Sequence, residues 1–279
     1  MTIVLISAQF RPGLEGRLPA GVEARWYSDG GELLAMVEQA DAVWLHQIDG
    51  PTAREAVARG TRLKWCNVLS SGVDWLPLDL LCERGITLTN GGGIHAQSVA
   101  EFTVMGMLTM AKGWREVVRA QDRHEWLAEP PGKRELLDSQ VLVIGAGEIG
   151  SRIAEILRAF GAHVTGVRRR PGPGELGAEE WRGVLGRFDW VILIVPSTPD
   201  TYRMFGPAEF AAMKPGAALV NFARGTVVDQ EALLASIDSG HLGGAFLDVT
   251  DPEPLPACLL YTSDAADDLL CRDLGGRRL

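Results

Sequence analysis

Six residues, Gly145-Ala146-Gly147-Glu148-Ile149-Gly150, have the types and spacing to bind a pyrophosphate. They follow the apolar run 141–144, which reads as a buried strand, and they open a helical pattern. In G-x-G-x-x-G the first glycine allows a tight turn, the second admits the phosphates and the third lets helix and strand pack closely. Free N–H groups and the helix dipole favour negative charge at such a helix start. A second strand, 163–167, follows at the expected distance and ends in Arg168-Arg169-Arg170. An acidic residue there would hold the ribose hydroxyls of NAD; an arginine meets a 2′-phosphate with charge-assisted bonds. NADP is therefore favoured over NAD, with a solvated basic turn as the bland alternative.

These residues need a scaffold. The 279-residue chain is long enough for two domains with real cores. Short apolar runs at 2–7, 42–46, 63–69 and 86–89 alternate with helical patterns near 31–39, 52–59 and 77–84. After a polar linker at 129–138, strands are expected at 141–144, 163–167, 190–195, 217–222 and 243–247. Helices are expected near 148–160, 206–213 and 229–239. The pattern is α/β, two Rossmann-like or flavodoxin-like domains with parallel sheets. Residues 1–95 read as the first domain and 96–257 as the second. The stretch 97–110 is apolar almost all round, so a buried helix is expected at a domain or subunit boundary. Ligands of such sheets sit at the C-terminal strand ends. Residues 145–150, Arg168, 196–201, 223–224 and Asp248 fall there.

Bulk properties exclude several classes. A net charge of −9 argues against a general nucleic-acid binder. No apolar run approaches a membrane span, and the N-terminus MTIVLISAQF reads as a strand rather than a signal peptide. The four cysteines show neither metal spacing nor a disulfide pattern; no metal site is expected, and the cytoplasm is the natural compartment.

Taken together, the motifs resemble the D-isomer-specific 2-hydroxyacid dehydrogenases, the group that includes glyoxylate/hydroxypyruvate reductases and phosphoglycerate dehydrogenase. LSSGVDWL at 69–76, TNGGGIHAQSVAEFT at 89–103, VIGAGEIG at 143–150, VPSTPDT at 195–201, NFARGTVVDQEAL at 221–233 and GAFLDVTDPEP at 244–254 recur in family order. The resemblance spans roughly residues 1–257. It implies hydride transfer between NAD(P) and a small 2-keto or 2-hydroxy acid. Arg224 is then the cation that forks onto the substrate, and Glu253 the acidic partner of a catalytic histidine. Backbone amides of Ser71, Gly72 and Val73 would hold the substrate carboxylate. Asn90 is a hinge or substrate-proximal residue, or else an Asx turn. Coenzyme contacts would come from Thr103 (or a plain buried helix threonine), Gly145, Gly147, Glu148, Ile149, Gly150, Arg168, Arg169, Val195, Pro196, Thr201, Phe222, Ala223 and Asp248. A homodimer through the coenzyme domain and its long helix is also implied.

The chain departs from that pattern after Glu253. The resemblance calls for a histidine some distance on, yet none follows His241. His46 and His95 are read as packing or hydrogen-bonding residues. Residues 258–279, CLLYTSDAADDLLCRDLGGRRL, lack the expected apolar strand and returning helix. The codons TGT CTC TTA TAC ACA TCT GAC GCT GCC GAC of a sequencing-library adaptor encode Cys258 to Asp267. This tail is therefore expected to be foreign, with the native sequence ending near Ala257. Impaired activity follows, together with exposed apolar surface where the returning helix is missing. The alternative is a dinucleotide-sensing protein of the same fold that performs no turnover; a scaffold without ligand ranks last.

Overall fold

Continuous apolar runs govern the core of this computed structural model. It describes residues 1–253 and the backbone of 269–271. The chain falls into two units, Met1–His95 and Ala96–Leu279. Each is built on a parallel sheet.

The first unit runs β1 (Thr2–Ser7), α1 (Arg11–Leu14), β2 (Val22–Tyr27), α2 (Gly30–Met36), β3 (Ala42–Leu45), α3 (Gly50–Arg59), β4 (Trp65–Val68), α4 (Leu78–Glu83) and β5 (Thr87–Thr89). Its strands lie in the order β2-β1-β3-β4-β5. Leu5, Val43, Leu45, Cys66 and Val68 are buried between the helices. The sequence pattern predicts no strand at β2. Its polar residues alternate at the sheet edge, where Arg25 pairs with Glu23 at 2.8 Å. Asp29 caps α2 by accepting from the Glu32 N–H, and Asp49 caps α3 by accepting from the Thr52 N–H.

The second unit runs α5 (Ala96–Ala111), α6 (Trp114–Asp122), β6 (Gln140–Ile144), α7 (Glu148–Ala159), β7 (His163–Val167), β8 (Trp190–Leu193), α8 (Pro207–Ala212), β9 (Ala218–Asn221), α9 (Gln230–Asp238), β10 (Gly244–Leu247) and β11 (Leu269–Cys271). Its order is β11-β10-β9-β8-β6-β7, all parallel. The order reverses between β6 and β8, so the ligand crevice of such a sheet lies at their C-terminal ends. β6, β8 and β9 are apolar on both faces, as a covered parallel sheet requires.

Two expectations are corrected. The helix at 97–110 is not buried all round. Ala100, Thr103, Val104, Gly106 and Met107 are buried, whereas Met105 is 46% exposed. Gly106 lets α5 approach the Phe246 ring, 2.7 Å from where a Cβ would stand. Nor does the tail lack a strand, since Leu269–Cys271 pairs in parallel with β10. An uncovered edge strand presents free backbone groups that template such pairing. The rest of the tail reading lies outside the described residues.

Candidate functional site

The glycine turn sits where β6 meets α7. Gly145 has φ +104°, and a Cβ there would stand 2.7 Å from the Ile194 carbonyl oxygen. Gly150 packs against the Gly145 carbonyl, where a Cβ would come within 2.5 Å. Gly147 differs: nothing lies within 4 Å of a Cβ placed on it, so no contact inside the protein requires glycine. Gly147 is also the N-cap of α7, with no side chain capping the helix. The amides of Glu148, Ile149 and Gly150 therefore start the helix without a capping side chain, which is the donor set an anion needs. The residues present fit a dinucleotide pyrophosphate.

Arg168 leaves β7 beside this turn. Its Nη2 donates to Ser151 Oγ at 2.8 Å, in the first turn of α7, and its Nε pairs with Glu175 at 3.0 Å. Arg169 is exposed next to it. On the neighbouring strand end, the loop after β8 is self-braced. Thr201 Oγ1 donates to the Pro196 carbonyl at 2.7 Å and accepts from the Thr198 N–H at 2.9 Å. Val195 is half-buried and packs on the core.

The loop after β9 carries Arg224. Asn221, 1% exposed, fixes it: Oδ1 accepts from the Ala223 N–H at 2.9 Å, and Nδ2 donates to the Arg224 carbonyl at 3.1 Å. The Arg224 guanidinium donates to the Ala223 carbonyl at 2.7 Å. Gly225 then runs against the backbone of Thr250 and Asp251, with room for no Cβ. Gln230 clamps the same segment, donating to the Asp251 carbonyl and accepting from its N–H at 3.1 Å. The segment bearing Asp248 and Glu253 is thus tied to the one bearing Arg224. Asp248 follows β10, its N–H donating to the Asn221 carbonyl at 3.0 Å, and Glu253 is exposed. Asn221 and Gln230 were missed in the sequence; an amide in NFARG and another one residue past Asp229 carry no local signal for the contacts they make.

Two candidates sit in packing positions. Phe222 stacks on Phe246 with ring centroids 5.8 Å apart and meets Phe102 edge-on. Thr103 is fully buried, its hydroxyl donating to the Val99 carbonyl at 2.8 Å. Ala223 is also buried.

In the first unit, loop 69–76 is stitched to loop 90–94. Asn90 Nδ2 donates to the Ser71 carbonyl at 2.8 Å, Ser71 Oγ to the Gly91 carbonyl at 3.2 Å, and Ser70 Oγ to the Gly72 carbonyl at 2.8 Å. Among the described residues, the N–H groups of Ser71, Gly72 and Val73 donate to no backbone carbonyl. Consecutive open amides form an anion-binding concavity. His46 closes β3. It donates its N–H to the Tyr27 hydroxyl at 3.0 Å and packs against the edge of Phe10, and burial lowers its imidazole pKa. No grouping of His, Cys, Asp and Glu that could hold a metal occurs among the described residues.

This arrangement has close parallels. The family model described as "D-isomer specific 2-hydroxyacid dehydrogenase, NAD binding domain" matches residues 104–265. D-3-phosphoglycerate dehydrogenase of Mycobacterium leprae is 31% identical over 261 residues, covering 91% of this chain and 49% of that protein. The chain thus spans about half the length of such curated relatives. Glyoxylate reductase of Thermococcus litoralis is 30% identical over 236 residues, covering 80% of this chain and 71% of that protein. A D-isomer specific 2-hydroxyacid dehydrogenase family protein from Aeromonas salmonicida superposes with a TM-score of 0.82 at 27% identity, covering 97% of this chain and 87% of that one. With the glycine turn, the arginine loop and the Asp248 segment all on one parallel sheet, the chain belongs to the D-isomer-specific 2-hydroxyacid dehydrogenase family.

Proposed function

We propose that the chain reduces a small 2-keto acid to a D-2-hydroxy acid, or runs the reverse, with NAD(P) as coenzyme and NADP favoured. Residues 96–257 are assigned to coenzyme binding and 1–95 to substrate. The observation that carries this reading is the uncapped, glycine-started α7 on the same sheet as Arg224. A bound nicotinamide supplies the hydride. Glu148, Ile149 and Gly150 offer amides to its phosphates, and Val195, Pro196 and Thr201 shape the adjoining loop. Phe222, Ala223 and Asp248 are assigned to the nicotinamide side, and Thr103 to the packing behind the turn. Arg168 and Arg169 answer for the 2′-phosphate.

Arg224 supplies a planar cation for a carboxylate and for the oxygen on which charge develops. In the first unit, the amides of Ser71, Gly72 and Val73 are assigned to the substrate carboxylate, with Asn90 bracing them. Glu253 is assigned to orient a histidine. Residues 1–279 hold none after His241, and a chain of these residues alone should turn over about 10²–10⁴-fold more slowly than one that carries it. We read 258–279 as foreign sequence that displaced it.

A homodimer through the second unit is proposed from its apolar face. Met105, Trp114 and Phe160 are large apolar side chains left exposed there, and Leu108 and Ile156 line the groove beside them. Among the described residues no helix is long and apolar enough to cross a membrane. Cys66 and Cys82 are free thiols. The free thiols accord with the cytoplasm as the proposed compartment.

The test is calorimetric titration with NADPH and NADH, then a keto-acid panel on the chain as it stands and on a version with a Pro-His segment after Glu253. Binding of coenzyme and at least tenfold faster glyoxylate or hydroxypyruvate reduction by the second version is the expected result. Coenzyme binding with no turnover in either version would favour the sensing protein. No heat with either coenzyme would defeat both readings.

A further inference from the structure

The loop 168–176 folds back on itself. The Arg168 N–H donates to the Leu176 carbonyl at 3.0 Å, and the Leu176 N–H to the Gly166 carbonyl at 2.8 Å. This return brings Glu175 alongside Arg168, with Nε to Oε1 3.0 Å. The other carboxylate oxygen accepts from the Gly172 N–H at 2.9 Å. Gly166 makes the room: a Cβ there would stand 3.2 Å from Glu175 Oε1 and 2.9 Å from the Ala146 Cβ. The guanidinium is held from its other side by Ser151 on α7. An acid and a base thus sit together one residue beyond β7, beside the glycine turn. Arg169 and Arg170 flank them, exposed and with no side-chain partner among the described residues.

The two chemistries that discriminate the coenzymes are an acid for the ribose 2′-hydroxyl and an arginine for the 2′-phosphate. This site holds both. We propose that Arg168 and Glu175 form an exchangeable couple that sets coenzyme preference. A 2′-phosphate displaces the carboxylate and takes the guanidinium; a 2′-hydroxyl donates to the carboxylate while the pair stays closed. Glu175 therefore moderates the preference for NADP, and both coenzymes bind. The inference rests on the coenzyme reading above and adds the residue that tunes it.

Both residues are partly exposed, so the charge effect is modest and salt-dependent. In Glu175→Gln the competing charge is gone. NADPH should bind about threefold tighter or better, and NADH about threefold weaker. Arg168→Leu should act oppositely, losing at least about tenfold in NADPH affinity with NADH nearly unchanged. Dissociation constants come from quenching of tryptophan fluorescence at low and high salt, with melting temperatures alongside. The shift in the NADPH-to-NADH ratio should shrink at high salt. If the wild-type chain binds both coenzymes and the ratio stays put in Glu175→Gln, the couple is overturned and the coenzyme reading survives. If the wild-type chain binds neither, both fall together.

Discussion

The two sheets share a strand order, yet α2 and α3 of the first unit and α7 of the second start in opposite ways. In the first unit, α2 and α3 begin on Asp29 and Asp49, whose carboxylates each already accept from one first-turn amide, Glu32 and Thr52. In the second unit, α7 begins on Gly147, which offers no side chain. The first design closes a helix N-terminus to anions, and the second leaves it open. The first unit keeps its open amides in a loop instead, at Ser71, Gly72 and Val73, with no charged side chain among these three. Within the second unit, α9 begins on Asp229, which accepts from the Ala232 N–H, so the open start belongs to α7 and its glycine and not to the sheet as a whole.

The sharpest way to break this contrast is Gly147→Asp, which makes α7 start as α2 and α3 do. Gly147 has extended backbone, and a Cβ there meets nothing within 4 Å. Stability measured by urea unfolding should hold or rise by a few tenths of a kcal/mol. NADPH affinity should fall by about a hundredfold or more, because a carboxylate occupies the amides and repels phosphate. A variant that still binds NADPH normally would show that the phosphates sit elsewhere.

Arg224→Lys tests the other half of the second sheet. In a histidine-bearing version, kcat/KM for the keto acid should drop about 10²–10³-fold, since an ammonium cannot fork. NADPH affinity should change less than about threefold. A loss of coenzyme binding equal to the loss of rate would move Arg224 from substrate to coenzyme.

Asn221→Ala should cost about 1–3 kcal/mol, since it strips two backbone groups of their partner in a buried position. Urea unfolding reads that loss directly. Asn221→Asp keeps the acceptor for the Ala223 N–H and loses the donor to the Arg224 carbonyl, so its turnover should fall more than its stability. Equal stability in Asn221→Ala and the wild type would sink the view that Asn221 sets the arginine loop.

Where the chain advertises its fold and where it hides it follows from range of interaction. Runs such as 141–144 and 190–193 are legible because both faces of their strands are buried. The glycine turn is legible because two steric demands, at Gly145 and Gly150, and one open position, Gly147, fall within six residues. β2 is hidden because edge strands alternate and carry charge. The α6 helix is hidden because Trp114–Asp122 is polar overall and only Ala120 of its nine residues is buried. Of the site, Arg168 was legible by distance from the turn, whereas Glu175 was not, because a loop closure brings it back. The contacts of Asn221 and Gln230 depend in the same way on where neighbouring loops end.

The smallest effect separates the units by pH. In the first unit, burial pushes the Cys66 thiol from 9.0 up to about 12 and the Tyr27 phenol from 10.0 up to about 12. The folded state keeps both neutral, while the unfolded chain ionises them. Their contribution is present in full below about pH 9 and is lost as pH rises from there toward 12. The first unit should therefore unfold at lower urea at pH 10 than at pH 8, by more than the second unit does. Hydrogen exchange resolved by peptide separates the two. Cys66→Ala removes one of the two groups, so its midpoint should fall less between pH 8 and 10. In the same protein at pH 8, iodoacetamide should label Cys82, which is exposed, and spare Cys66 until urea opens the first unit. Equal labelling of the two thiols under native conditions would mean that the core around β4 opens far more readily than its burial implies.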